Sequence, residues 1–296
     1  MIGLLEAVFR GLGQGSVYAL IALGFVIIYR SSRVISFAQP GLVIAGVVLV
    51  TYLVQSAWLG FWGALAVAAL LTAGIGLAME RAVIRPMIGR PIFAIAIITI
   101  GLDIVIRTVA HAGIGINVRH VADPWGIATV SLGPIGVQQR HLAAVVTTAV
   151  LVALLFGFFR YTRIGLAIRA VAEDQEVALA QGVSVGAVFA ISWALAGGLA
   201  AVAGTFAAAG SNVDTTFWLI ALTALPVIIL GGLDSLVGAV VAGLSIGVLQ
   251  ALAARFPEWI FFLGTNASVI VPWLVMMLVL VVRPYGLFGT REVERV

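Results

Sequence analysis

A chain of 296 residues that is 62% hydrophobic and only 9% charged cannot cover a soluble surface. It contains no cysteine and no lysine, all sixteen basic residues being arginine, which excludes disulfides, thiolate metal sites, thiol nucleophiles, a Walker A lysine and a lysine Schiff base. The formal charge of +4 and the pI near 10.1 come from arginine at membrane edges, not from a nucleic-acid-binding face.

Mean hydropathy is +1.20. Apolar runs of roughly 20 residues, the length that crosses a bilayer core, recur throughout without the alternation of a β-barrel. The fold class is therefore all-α polytopic membrane protein, with eight to nine transmembrane or re-entrant helices forming one domain over 1–296. In chain order the spans are expected at 11–29, 35–58, 61–79, 92–112, 142–159, 187–209, 217–230, 236–254 and 267–282. The first lacks a small-residue cleavage site and leads straight into more spans, so it is read as a retained helix.

Within the second span, Gln39, Pro40 and Gly41 lie near the cytoplasmic edge. Proline suits the first turn of a helix that starts there; it equally suits a broken helix beside a transport path. In the fourth span, Asp103 and Arg107 are four apart and share a helix face. Such charges at membrane depth are functional candidates, or else a structural pair facing another helix with Arg107 reaching outward. The loop at 113–141, with Gly, Pro and Asp recurring, is expected to be turns and short strands. His111, His120 and His141 fall in or beside it, at a spacing that fits no known metal site, so neither metal nor cofactor is assigned. The run 217–230 is short and carries Pro226, which makes it the candidate re-entrant segment.

Small residues four apart, as in Gly243-xxx-Gly247 and Ala200-xxx-Gly204, and further ones at Gly197, Ala201, Gly238 and Ala242, let helix backbones approach closely. No internal repeat is strong enough to use. With nine crossings, Arg30, Arg33, Arg81, Arg85, Arg90, Arg160, Arg163, Arg169, Arg283, Arg291 and Arg295 share one side. Only Arg10, Arg119, Arg140 and Arg255 share the other. The arginine-rich side is cytoplasmic by the positive-inside rule, with the N-terminus outside.

The stretch at 160–186 is unlike the rest. Apolar or amide positions at 164, 168, 171, 175 and 178/179 follow helical spacing, while Arg169, Glu173, Asp174 and Glu176 fall mostly elsewhere. Gly165 and Gly182 flank it, and Gly182 suits a C-terminal stop. One short amphipathic helix is therefore expected in the cytoplasm. Its acids suit a groove on another protein better than an anionic lipid surface.

The run from Glu176 to Gly182, EVALAQG, resembles the EAA---G signature of ABC importer permeases, with Val177 in place of the usual alanine. GLAIRAVAEDQEVA resembles the version found in the branched-chain amino acid branch. GLGQGSVYALIALGFVIIYR, SFAQPGLVIAG, ILGGLDSLVGAVVAGLSIGVLQ and RPYGLFG agree in order along the chain. One departure is that the family's second-span motif reads close to NFAHGE, where this chain has Ser36 and Gln39-Pro40.

The resemblance implies a permease subunit that moves branched-chain or related amino acids inward and hydrolyses nothing itself. It implies separate ABC ATPase subunits, a second permease subunit that is homologous or identical, an extracytoplasmic substrate-binding protein, and a lipid environment. It makes 160–186 the coupling loop, with Gly165, Arg169, Glu173, Asp174, Glu176, Ala178 and Gly182 as the ATPase-coupling residues. Gln39, Pro40, Asp103 and Arg107 stay candidates for the path. Permeases for urea, short amides, sugars or nucleosides would share this core, and an ion-coupled transporter working alone is the alternative of another class.

Overall fold

The first crossing is an unbroken helix because nothing in its apolar run breaks it. It is α1 (Ile2–Ser32), and every residue from Val17 to Ile28 in it is buried. At 31 residues it is about 46 Å long, more than a bilayer core requires. The computed structural model describes residues 2–56, 59–114, 119–121, 123–133, 135–214, 216–258 and 267–290. Among these, six helices are long and apolar enough to cross a membrane. The other crossing elements are α2 (Gln39–Ser56), α3 (Phe61–Met79), α4 (Ile92–Ile114), α5 (Gln139–Tyr161), α8 (Val185–Ala208), α9 (Leu219–Leu222), α10 (Ala224–Gly231), α11 (Leu236–Arg255) and α12 (Ala267–Val282). Between α5 and α8 lie α6 (Arg163–Glu173) and α7 (Gln175–Ala180).

The small-residue spacing is used as expected, to bring backbones together. α1 runs antiparallel to α11, and a Cβ on Gly11 would lie 2.5 Å from Val248 Cα, one on Gly15 2.7 Å from Leu244 Cα, and one on Gly243 2.7 Å from Ala19 Cα. α8 meets α3 the same way, with the Cβ position of Gly197 2.5 Å from the Thr72 carbonyl oxygen. Lipid offers no hydrogen bonds, so buried hydroxyls donate within their own helix: Ser16 to Leu12, Thr51 to Val47, Thr72 to Ala68 and Thr205 to Ala201.

Two crossings are not continuous helices. The second, expected at 35–58, becomes helical only at Gln39. Gln39 packs against Gly24 of α1 and Ala196 of α8, both well inside their helices. Counting from Ser32 and Val185, that is about 12–16 Å into the bundle at the α-helical rise of 1.5 Å per residue. The residues before Gln39 therefore descend as non-helical chain ending in a turn at 37–38: Pro40 stands in the first turn, as one reading required, the crossing is broken, and these residues lie deeper than the cytoplasmic edge where they were expected. The end of the predicted span, at 57–58, lies outside the described residues.

The seventh crossing is broken at Thr223, between α9 and α10. It enters at Val213, which pairs with Arg119 of the 113–141 loop, and leaves at Gly231, whose carbonyl accepts from Phe288 N–H. The chain changes face across it, so the segment completes a crossing.

The broken crossings belong to a pattern that no sequence repeat announces. α1 packs on α11 as α8 packs on α3, α2 on α3 as α10 on α11, and α2 on α4 as α10 on α12. The two sets of elements enter the bundle from opposite faces, which is an inverted repeat with α5, α6 and α7 inserted between its halves. Each half owns one broken crossing, with Pro40 or Pro226 in the first turn of its helical part.

The arginines that line cavities sort to two faces as the loop count required, while Arg291 and Arg295 lie outside the described residues. Arg30, Arg33, Arg160 and Arg169 line one cavity, and Arg85 donates to the Gly186 carbonyl beside the 160–186 loop. Arg10, Arg140 and Arg255 line another cavity, with Glu6, on the opposite face. There the 113–141 loop forms a hairpin of β2 (Thr129–Leu132) and β3 (Ile135–Gln138), turning at Gly133. It adds β1 (Arg119–His120), paired with β4 (Asn212–Val213). Trp125 fixes this loop to the bundle by stacking on Phe206 at 5.6 Å and meeting Phe61 edge-on at 5.0 Å.

Candidate functional site

The 160–186 loop is shaped by local hydrogen bonds, each traceable to a residue type. Thr162 caps α6 by accepting from Gly165 N–H at 2.9 Å. Gly165 is where α6 presses on the end of α5, since a Cβ there would lie 2.6 Å from Phe159 Cα. The expected single helix is two. Asp174 leaves helical geometry (φ −152°, ψ 116°), and its Oδ1 accepts from Glu176 and Val177 N–H, both at 2.9 Å, which starts α7 afresh.

α7 then ends in a Schellman motif. Val183 N–H reaches the Ala178 carbonyl at 3.0 Å and Gly182 N–H the Leu179 carbonyl at 2.9 Å. The reversal requires Gly182 at φ +81°. Ser184 caps α8 by accepting from Ala187 N–H.

These caps decide which side chains face outward. Ile168, Val171, Ala172 and Ala178 are buried, as helical spacing predicts for 168, 171 and 178. Ile164 and Leu179, both expected on the apolar face, are exposed instead, and so are Leu166 and Val177. Arg169, Glu173, Asp174, Glu176 and Gly182 are exposed. The loop therefore offers an apolar knuckle, Val177 and Leu179, beside the carboxylate of Glu176.

Two anchors missed in the sequence hold the loop to the end of α1. Arg33 Nη2 donates to the Ala172 carbonyl at 2.9 Å, and Gln175 Nε2 donates to the Ser31 carbonyl at 3.3 Å. Arg33 sits at φ +57°, the one left-handed non-glycine among the described residues. That geometry costs about 1–2 kcal/mol and turns the chain from α1 into the non-helical lead-in to Gln39. Only a charge near a span end hinted at it.

The intramembrane candidates gather around the start of α2 from opposite sides. Gln39 is fully buried; its Nε2 reaches the Ala196 carbonyl at 3.4 Å, and its Oε1 is without a partner among the described residues. Pro40 fills the first turn beside it. Asp103 approaches from α4, its Oδ1 3.1 Å from where a Cβ on Gly41 would stand, so a carboxylate faces the positive end of the α2 dipole. Arg107 Nε lies 2.7 Å from Asp103 Oδ2. Its guanidinium does not reach outward but lies 3.9 Å over the Trp218 ring, tying α4 to the mouth of the seventh crossing. At that mouth Asp214 is held below the usual carboxylate range, because the Thr216 hydroxyl and N–H both donate to it. Of the histidines, His120 lies in β1, while His111 and His141 sit near the ends of α4 and α5. No group of three metal-ligating side chains forms among the described residues.

Inverted repeats, crossings broken at mid-depth and a capped surface loop tied to the broken crossing define a membrane permease. The chain belongs to the family described as branched-chain amino acid transport system / permease component, whose model matches residues 7–280. It is 28% identical to the high-affinity branched-chain amino acid transport system permease protein LivH of Escherichia coli K12, over 99% of this chain and 97% of that one. BraD of Pseudomonas aeruginosa, a permease protein of the same kind of system, is 27% identical over 99% and 98%. A probable LivH of Methanocaldococcus jannaschii is 28% identical over 91% and 88%. The chain is thus a transmembrane permease subunit of an ABC importer, a multi-pass protein of the inner membrane.

Proposed function

We propose that this subunit carries branched-chain or closely related amino acids inward, and that separate ATPase subunits drive it through the 160–186 loop. ATP is hydrolysed on those partners. A second permease subunit completes the membrane unit, and a soluble binding protein delivers substrate to the face that carries the 113–141 hairpin. The arginine-rich face is cytoplasmic.

The observation that carries this reading is the construction of the loop. Asp174, Gly182 and Ser184 fix its backbone, while Val177, Leu179 and Glu176 are left exposed on it. An apolar pair rimmed by charge on a rigid helix is the form that docks into a protein groove. Arg33 and Gln175 then join the loop to the end of α1, from which the chain descends to Gln39 and Pro40 at mid-depth. A push on α7 has a short covalent and hydrogen-bonded route to the broken crossing.

The test is ATP-driven uptake of labelled leucine by the assembled importer in proteoliposomes. Glu176→Lys places like charge where the partner meets a carboxylate, and uptake is expected to fall at least tenfold with the permease still present in the membrane at normal amount. Uptake at the normal rate would overturn the coupling role of this loop. Binding assays on the cognate soluble receptor identify the substrate independently.

A further inference from the structure

A cavity of about 580 Å3 opens on the arginine-rich face between the ends of α1, α5 and α6, the start of α11 and the 283–290 segment. Its wall carries four guanidinium groups, on Arg30, Arg33, Arg160 and Arg169. Two carboxylates share it. Asp234 is engaged by the Thr290 N–H and hydroxyl, and Glu173 is exposed. No hydrogen bond or ion pair among the described residues engages Arg30 or Arg169. Arg30 lies within electrostatic range of Asp234 and Glu173 as well as of Arg33 and Arg169, so among the described residues four guanidiniums share two carboxylates.

The other wall is apolar. Phe156 of α5 and Val237 of α11 border the cavity and are exposed, and one turn deeper Val241 of α11 is exposed too. α5 and α11 both pack on α1 and both border this cavity and the one on the opposite face, so the two helices flank a furrow floored by α1 that runs from the cationic mouth.

We propose that this cavity binds an anionic phospholipid, with the phosphodiester among the four arginines and an acyl chain in the furrow between α5 and α11. The depth fits, since the guanidiniums sit at helix ends where headgroups lie, and basic pockets of this kind between spans take anionic headgroups. The charge fits, since a phosphate adds an anion where four arginines face two carboxylates among the described residues. A soluble phosphate would leave the furrow unused, and a protein partner would have to reach beneath the membrane surface to fill it. Arg169 and Glu173 belong to α6, so a bound lipid also braces the 160–186 loop against α5.

The experiment uses the assembled transporter in nanodiscs of phosphatidylcholine with increasing phosphatidylglycerol. Lipid retained on the permease is read by native mass spectrometry, and thermal stability is read alongside. Wild type is expected to retain phosphatidylglycerol saturably and to gain stability with it. Arg30→Gln/Arg160→Gln is expected to bind it about thirtyfold more weakly, at about 1 kcal/mol per basic side chain. If that variant does not assemble, Val237→Trp, which fills the furrow and leaves every charge, is expected to reduce retention. Equal retention of phosphatidylcholine, or full competition by glycerol phosphate, overturns the lipid assignment. So does a cross-link from position 160 to an ATPase subunit at every lipid composition, which would make the cavity a protein contact.

Discussion

Gly182 offers a sharp test, because its environment isolates one physical term. Nothing lies within 4 Å of where its Cβ would stand, so a substitution meets no steric conflict within the subunit. What it meets is φ +81°, which an L-residue adopts at a cost of about 1–2 kcal/mol, or less for asparagine. Taking about 1 kcal/mol for Gly182→Ala, the closed Schellman turn becomes about fivefold less favoured against its opened form. The direct reporter is the Val183 amide, whose N–H is held by the Ala178 carbonyl at 3.0 Å. Its hydrogen exchange in the detergent-solubilised protein should speed up about fivefold in Gly182→Ala. Gly182→Val should exceed that, and Gly182→Asn should fall between wild type and Ala. Uptake by the assembled importer should follow the same order. An Ala variant that exchanges at the wild-type rate would refute the conformational argument. An Asn variant that exchanges normally yet blocks uptake as severely as Val would mean that position 182 matters for room at an interface, not for backbone geometry.

Two further outcomes are expected. Arg33→Asn keeps a residue that tolerates positive φ but loses the bond to Ala172, so substrate-stimulated ATP hydrolysis by the assembled transporter should drop several-fold at unchanged permease amount; unaltered stimulation would remove Arg33 from the coupling route. Asp103→Asn leaves Arg107 unpaired inside the bundle and should cost about 3–5 kcal/mol in stability, read as a lowered Tm, whereas Asp103→Asn/Arg107→Gln should recover part of the loss; a double variant no better than the sum of the singles would argue against a coupled pair.

Features set by local chemistry could be read from the chain. Helices, small-residue contacts, the Asp103–Arg107 pairing and the glycine stop at 182 each depend on residues a few positions apart, and each is present. The division of the 160–186 loop at Asp174 was hidden because apolar spacing continues through it. Position 178 is buried in a new helix that happens to keep the old phase. An aspartate two and three residues ahead of free N–H groups was the available sign. The depth of Gln39 could not be read at all, since hydropathy does not distinguish extended chain from helix. That depth is set by Gly24 and Ala196, on helices remote in sequence.

The repeat was illegible for a related reason. It lies in which helices touch and not in which residues they carry, and apolar side chains of similar size substitute freely at such contacts. What survives in the sequence is one proline in each half, Pro40 and Pro226, at the first turn of the helical part of a broken crossing. Those two crossings face opposite ways and both contact α1, the helix to whose end the 160–186 loop is tied. On the coupling proposed above, a displacement of that loop would act first on the lead-in to α2, which is not helical. α10 shares α1 as a neighbour and starts from the opposite side of the bundle. On the coupling proposed above, such a displacement would reach one broken crossing in each half, and the two halves run through the bundle in opposite senses, the arrangement that alternating access uses.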